Sequence, residues 1–253
     1  MTYYTHRLTK RANKMKQSLL KITLPKGVEL RGSEFREMLA KETDLPEEFF
    51  HYENGAPKGS TNGSVNQADA LPPICILSGK GWVGILAQPG HEDLIELATG
   101  KAMRVVNKRL NTACKVEFQN PEFGCAPKDI ASTYWVREMV MKRRTPEARA
   151  ASIESLVEKR ITSGLERYAD AYGIVLPSLD KIELQVTQCI RPRGLAIRTT
   201  SGTTKEYATL VDVEIKAFVD LKGIWMLGNL TSRGYGRVGT FKETSISRMD
   251  VIK

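Results

Sequence analysis

The order of elements in the first 120 residues constrains this chain most. Ser18 to Leu24 has strand character and is stopped by Pro25, Lys26 and Gly27. Gly32 and Ser33 then open a helix, with Ser33 as its N-cap and Phe35, Met38 and Leu39 at helical spacing. Asp44, Leu45 and Pro46 end it. The Gly/Ser/Asn-rich stretch from Pro57 to Ala70 reads as a long surface loop. Pro73–Ser78 and Trp82–Ala87 flank a Gly79-Lys80-Gly81 turn, a strand–turn–strand signal. Pro89 and Gly90 lead into a short helix from His91 to Ala98. Met103–Val106 and then Cys114–Phe118 offer a closing strand or hairpin. The order is β-α-β-β-α-β, a split βαβ unit.

Composition changes at Asn120–Pro127. Beyond it the pattern predicts a helix over Lys128–Arg144. A second helix is predicted from Thr145, with Pro146 at its first position, to Tyr172, with Gly173 as its stop. Ile153, Val157, Ile161, Leu165, Tyr168 and Tyr172 form its apolar stripe. Arg149, Arg160 and Arg167 fall within about 20° of one another at about 100° per residue. With Arg137, Lys142, Arg143 and Arg144 on the preceding helix they give the hairpin a basic tip and flank. The interleaved Glu154, Glu158, Glu166 and Asp170 also fit an ordinary solvated surface. From Leu179 onward strand character returns, at Ile182–Ile190, Gly194–Thr200 and Tyr207–Val219, the last two forming a hairpin around Ser201 and Gly202. Leu221–Leu227 reads as a short helix or turn.

A glycine-rich stretch, Gly228 to Gly239, closes the pattern, with Asn229, Ser232, Arg233, Gly234, Tyr235, Gly236 and Arg237 inside it. Glycines allow close backbone approach. Free N–H groups beside guanidinium groups suit a phosphate. An ordinary turn between two core elements fits the same glycines.

Charge separates the possible partners. The 253 residues carry a net charge of +9 with a pI near 9.4, which points to a polyanion such as nucleic acid or a membrane surface. Met1 to Lys21 holds six Lys/Arg and no acid, and residues 1–14 read as a mobile basic arm. An apolar share of 41% supports a globular core. There is no run of about 18 apolar residues to span a membrane, and the basic N-terminus has no apolar stretch to act as a secretory signal. The four cysteines, Cys75, Cys114, Cys125 and Cys189, form no Cys-x-x-Cys pair. That argues against zinc or disulfide frameworks and fits a reducing cytoplasm.

Three histidines limit the chemistry. His6 lies in the basic arm, and His91 reads as a helix cap. His51, among Phe49, Phe50 and Tyr52, is either a packed residue or a general base or acid. Tyr52, Arg31 and Arg36 lie in the same part of the chain. No carboxylate cluster or nucleotide-binding loop stands in the sequence, which disfavours metal and NTP hydrolysis. Histidine, tyrosine and arginine without metal are compatible with RNA cleavage by its own 2′-hydroxyl. The protein aligns the attack, takes one proton, gives another and neutralises the phosphate. Arginine suits the last role and is a poor base.

Several motifs resemble one family. Gly228–Gly239 is similar to the glycine-rich loop of the ferredoxin-like CRISPR-associated RNA-binding (RAMP) superfamily. Leu30–Phe35, Phe50-His51-Tyr52, Pro72–Ile74 and Trp82–Ile85 resemble the amino-terminal half of its repeat-cleaving endoribonucleases. The expected helical hairpin 128–172 resembles the helical finger of the type IV members. The resemblance implies an α+β fold of two tandem ferredoxin-like (RRM-like) domains with an inserted basic helical hairpin. The expected boundaries are a basic arm at 1–14, a first domain at 15–126, a finger at 127–174 and a second domain at 175–253. It also implies metal-independent cleavage at the base of a repeat stem-loop, without cofactor, and retention of the guide RNA with other effector subunits. His51 would be the base, with Arg31, Arg36 and Tyr52 open alternatives. Arg137, Lys142, Arg143, Arg144, Arg149, Arg160 and Arg167 would grip the stem, and Arg233 and Arg237 the backbone. A non-catalytic RNA-binding subunit of the same superfamily, or a basic scaffold unrelated to RNA, are the competing readings.

Overall fold

The computed structural model describes residues 15–50, 52–53, 56–57, 71–142, 150–198 and 205–240. Its first unit runs β2 (Ser18–Thr23), α1 (Gly32–Glu42), β5 (Ile74–Gly79), β6 (Trp82–Ala87), α2 (Asp93–Leu110) and β7 (Lys115–Gln119). A small ribbon of β3 (Tyr52–Glu53) and β4 (Ala56–Pro57) follows α1. The four main strands form one antiparallel sheet in the order β5-β6-β2-β7. That is the ferredoxin-like arrangement expected from the element order.

Why β5 and β6 read as nearly continuous apolar runs is visible in their packing. Ile74, Ile76, Val83, Ile85, Leu20 and Ile22 face α1 and α2 with Phe35, Leu39, Ile95, Ala98 and Ala102. Their neighbours Cys75, Leu77, Leu86 and Leu19 point the other way and close on Met226 of the second unit. The sheet is buried on both faces, so alternation between apolar and polar residues is lost. Burying each large side chain contributes roughly 1.5–3 kcal/mol.

The second unit repeats the topology. It runs β8 (Glu122–Lys142), α3 (Ile153–Tyr172), a short α4 (Leu179–Ile182), β9 (Gln185–Arg198), β10 (Lys205–Lys222) and β11 (Arg237–Thr240). β9 pairs with β10, β10 with β8, and β8 with β11, all antiparallel. A 3-10 turn at Thr231–Arg233 stands where the first unit has its second helix. β1 (Met15–Lys16), which precedes the first sheet in sequence, pairs with β8 of the second. Thus the α+β class and the tandem ferredoxin-like plan hold.

Five local expectations are corrected. Lys128–Arg144 is not a helix: β8 carries this segment as far as Lys142. Its Ile130, Thr133, Tyr134, Trp135, Val136 and Val140 are β-formers that outweigh the intervening Glu, Met and Lys. Of the expected helical hairpin only the second arm is helical, and α3 starts at Ile153 behind the capping hydroxyl of Ser152. Val157, Ile161, Leu165 and Tyr168 bury its stripe against β8 and β10. Met103–Val106 belongs to α2, which passes through Gly100 because Ala98, Ala102, Val105 and Val106 stay on its buried face. The strand expected at Ile182–Ile190 starts after α4, and β9 runs without a break through Gly194. Finally, Arg31 and not Ser33 is the N-cap of α1, and Glu34 Oε2 accepts from the Arg31 N–H at 2.9 Å. Gly32 lets the helix begin close to β5; a Cβ there would stand 3.3 Å from Ser78 Oγ.

Candidate active site at the junction of the two units

The glycine-rich segment is the seam between the units. Apolar Trp225, Met226 and Leu227 are fully buried, and the chain then folds back on itself through backbone bonds. Leu227 N–H donates to Gly236 O at 2.8 Å, Gly236 N–H to Arg137 O at 3.0 Å and Val238 N–H to Trp225 O at 2.9 Å. Asn229 N–H donates to Val140 O at 2.9 Å, and Asn229 Oδ1 accepts from Lys142 N–H at 3.3 Å. Asn229 therefore extends the pairing of β8. Gly236 has φ 76°, and a Cβ there would overlap the Leu227 carbonyl. Gly234 has φ 88°, and a Cβ there would run into the Ile76 carbonyl of β5. Both glycines answer a packing need. Tyr235 packs beside Val140, Ala208 and Leu210 on the second sheet.

This packing sets the 3-10 turn against β5 and α1. Arg233, at the end of the turn, is exposed. It bears on Arg36 in the middle of α1. Arg36 donates through Nη2 to the Phe50 carbonyl and lies 5.7 Å from the centre of the Phe50 ring. Its Nε is buried and has no hydrogen-bond partner among the described residues. Burial first, and the Arg233 charge second, push its pKa down to about 10. The 3-10 turn that carries Arg233 packs on α1, close enough for the Arg233 charge to act on Arg36. An oxyanion bound beside Arg36 and Arg233 would offset their like charge. At neutral pH Arg36 remains a cation, since about 10 is still well above 7.

Arg31, exposed at the N-cap, stands at the same end of α1 as this junction. His51 directly follows Phe50 in sequence and lies outside the described residues. Tyr52 lies in β3, and its side chain is outside the description as well. Arg143, Arg144 and Arg149 also lie outside the described residues. Arg137 and Lys142 are on β8 rather than a helix, and Arg137 is the cross-strand partner of Arg237. Arg160 and Arg167 are half-buried on α3. So the structure joins Arg36 to Arg233 and Arg137 to Arg237, pairs that lie about 100 or 200 positions apart in the chain and share no sequence motif.

One feature near this seam was not singled out as a site residue from sequence. Trp82, half-buried at the start of β6, has Arg237 Cζ 5.4 Å and Lys21 Nζ 5.6 Å from a ring centre. The available signal was its place beside the Gly79-Lys80-Gly81 turn. No helix among the described residues is long and apolar enough to cross a membrane.

The family model for the type IV CRISPR-associated endonuclease Csf5 matches residues 15–242. Among solved structures, Csf5, a type IV CRISPR-Cas Cas6 crRNA endonuclease, is 33% identical and has a TM-score of 0.75; the match covers 89% of this chain and 99% of that one. The CRISPR RNA processing endoribonuclease Cas6b is 14% identical with a TM-score of 0.51, over 89% of this chain and 100% of that one. A second Cas6b structure is 16% identical with a TM-score of 0.53, over the same shares. At that identity the two Cas6b structures speak for the fold. No curated protein matches the chain. Two ferredoxin-like units joined by a glycine-rich seam, and a match over nearly the whole chain, place it: it belongs to the Csf5 family of type IV CRISPR-associated RNA endonucleases.

Proposed function

We propose that the protein binds the stem-loop of a CRISPR repeat and cuts the precursor guide RNA at the hairpin base without a metal ion. The 2′-oxygen attacks the adjacent phosphorus, and the bond from phosphorus to the 5′-oxygen breaks. A base takes the 2′-hydroxyl proton and an acid protonates the leaving oxygen. The products are a 2′,3′-cyclic phosphate and a 5′-hydroxyl. One observation carries this reading: Arg36, half-buried on α1 where the 3-10 turn of Arg233 packs, feels a second positive charge and has an Nε–H without a partner among the described residues. Such a pair suits the charge that develops on the phosphate during in-line attack.

Arginine does not serve as the base. The base is sought next to Phe50, whose carbonyl holds Arg36; His51 and Tyr52 are the next two residues. Arg31 adds a further cation at the start of α1. The stem is gripped by the basic residues of β8 and α3, Arg137, Lys142, Arg160 and Arg167, with Arg143, Arg144 and Arg149 between those elements in sequence. The cut RNA stays bound and enters an effector complex in the cytoplasm. The units divide as a first domain near 15–126 and a second from 127 on, in which α3 takes the place assigned to the finger.

Incubating the full chain with repeat RNA in EDTA tests the mechanism. The expected result is cleavage with a 3′ end whose phosphate resists phosphatase until acid opens the cyclic diester to a monoester. No cut, or a cut that requires magnesium, overturns the mechanism. Binding without any cut favours a non-catalytic subunit.

A further inference from the structure

Trp82 is half-buried at the edge of the small core of Leu19, Cys75, Leu77, Leu86 and Met226. Its indole is laid along the sheet over the end of the β5–β6 hairpin. A Cβ at Gly79 would overlap the indole Nε1, and a Cβ at Gly84 would stand 3.2 Å from its ring and 2.5 Å from the Leu20 carbonyl. Two positions on the same sheet therefore lack a side chain where the ring lies. Lys21 Nζ and Arg237 Cζ come within 5.6 Å and 5.4 Å of its ring centres, one from the first unit and one from the glycine-rich seam. Arg137 stands opposite Arg237 on β8. Arg237 is four chain steps beyond Arg233, so the two guanidinium-bearing backbone positions are at most about 14 Å apart. A half-buried aromatic ring with two long, flexible cations over it has the parts of a single-strand nucleic-acid platform once those side chains turn to the backbone: a π-face for a base and positive charge for its phosphates.

We propose that Trp82, with Lys21 and Arg237, stacks one unpaired nucleotide that flanks the repeat stem and so feeds the strand toward Arg36 and Arg233. This rests on the RNA-processing reading above and adds to it a single-strand subsite. Inside a duplex every base face is stacked and only the end pair offers one to the ring, so the subsite favours unpaired flanks over the stem.

The test compares two RNAs, the repeat hairpin with its unpaired flanks and the same hairpin trimmed to the stem-loop. Each is titrated against the wild type, Trp82→Ala and Trp82→Phe, with thermal melts to confirm folding. The expected result is a loss of about 5- to 150-fold for Trp82→Ala on the flanked RNA. The loss on the trimmed RNA should be far smaller, and Trp82→Phe should recover most of it. The other two tryptophans, Trp135 and Trp225, are buried, so the flanked RNA should also quench exposed tryptophan emission more than the trimmed one. Equal losses on both RNAs, or none on either, overturn the subsite. The two readings fail separately. A wild type that cuts RNA while Trp82→Ala shows no flank-dependent loss keeps the nuclease and removes the subsite. Flank-dependent binding without any cut does the reverse.

Discussion

Gln17 binds the backbone of Ile224 with both ends of its side-chain amide, across 207 positions of sequence. Its Nε2 donates to the Ile224 carbonyl at 2.8 Å, and its Oε1 accepts from the Ile224 N–H at 2.7 Å. The same Nε2 donates to Gln88 Oε1 at 2.9 Å, and Gln88 lies 3.5 Å from the buried Tyr168 hydroxyl. This network sets the apolar segment 224–227 against the first sheet, and with it the glycine-rich seam that brings Arg233 to Arg36.

Gln17→Ala should therefore destabilise the protein by about 1–3 kcal/mol, since it leaves half-buried backbone groups of Ile224 without that partner. Urea unfolding reads the loss. Gln17→Ala should also weaken cleavage at temperatures where the fold persists, because the seam loosens before the sheets do. A stability within about 0.5 kcal/mol of the wild type would show that the amide is dispensable.

The two kinds of glycine here predict opposite outcomes for one substitution. At Gly236 both the positive φ and the Leu227 carbonyl oppose a Cβ, so Gly236→Ala should cost more than about 3 kcal/mol. At Gly27 φ is 82° but the surroundings are open, so Gly27→Ala should cost only about 1–2 kcal/mol. Comparing the two melting curves separates backbone strain from overlap.

Arg36→Ala should lower the rate of cleavage by about 100- to 1,000-fold with little change in RNA affinity, as for loss of one preorganised donor to a developing oxyanion. Arg36→Lys should not restore it, because a lysine lacks the Nε–H and the planar fork. The sign of the pH effect follows from the lowered pKa. The charged form is the active one, so its contribution is complete below pH 10 and falls away as pH passes about 10. Single-turnover rates, corrected for RNA hydrolysis without enzyme, should show that alkaline fall in the wild type and not in Arg36→Ala.

The first unit was legible because its strands and helices alternate with clear punctuation, and because Gly32, Gly79-Lys80-Gly81 and Pro89-Gly90 mark real boundaries. The second was less so, for physical reasons visible in β8. Tyr134, Trp135, Val136, Met139, Val140 and Met141 are all buried, so no period of two separates core from solvent, and the charged residues among them mimic a helix. The site was legible only residue by residue. Arg36 and Arg233 were both in view, but their approach depends on Gln17, Gly234 and the fit of the 3-10 turn on β5. Trp82 looked like part of a strand because its partners, Lys21 and Arg237, come from elements remote in sequence.

The base remains the sharpest single test. His51 follows the residue whose carbonyl holds Arg36, and an unperturbed imidazole changes charge near pH 6.5. If it takes the 2′-hydroxyl proton, the neutral form is active, and the cleavage rate should rise with pH through that region. His51→Ala should then lose about 100- to 10,000-fold in rate and lose the acid limb of the profile. Tyr52→Phe should leave that limb in place. A wild-type profile flat from pH 5 to 8, together with a His51→Ala rate near that of the wild type, would exclude the histidine. The role would then pass to Tyr52, whose loss should remove a limb at higher pH, since a phenol titrates near 10.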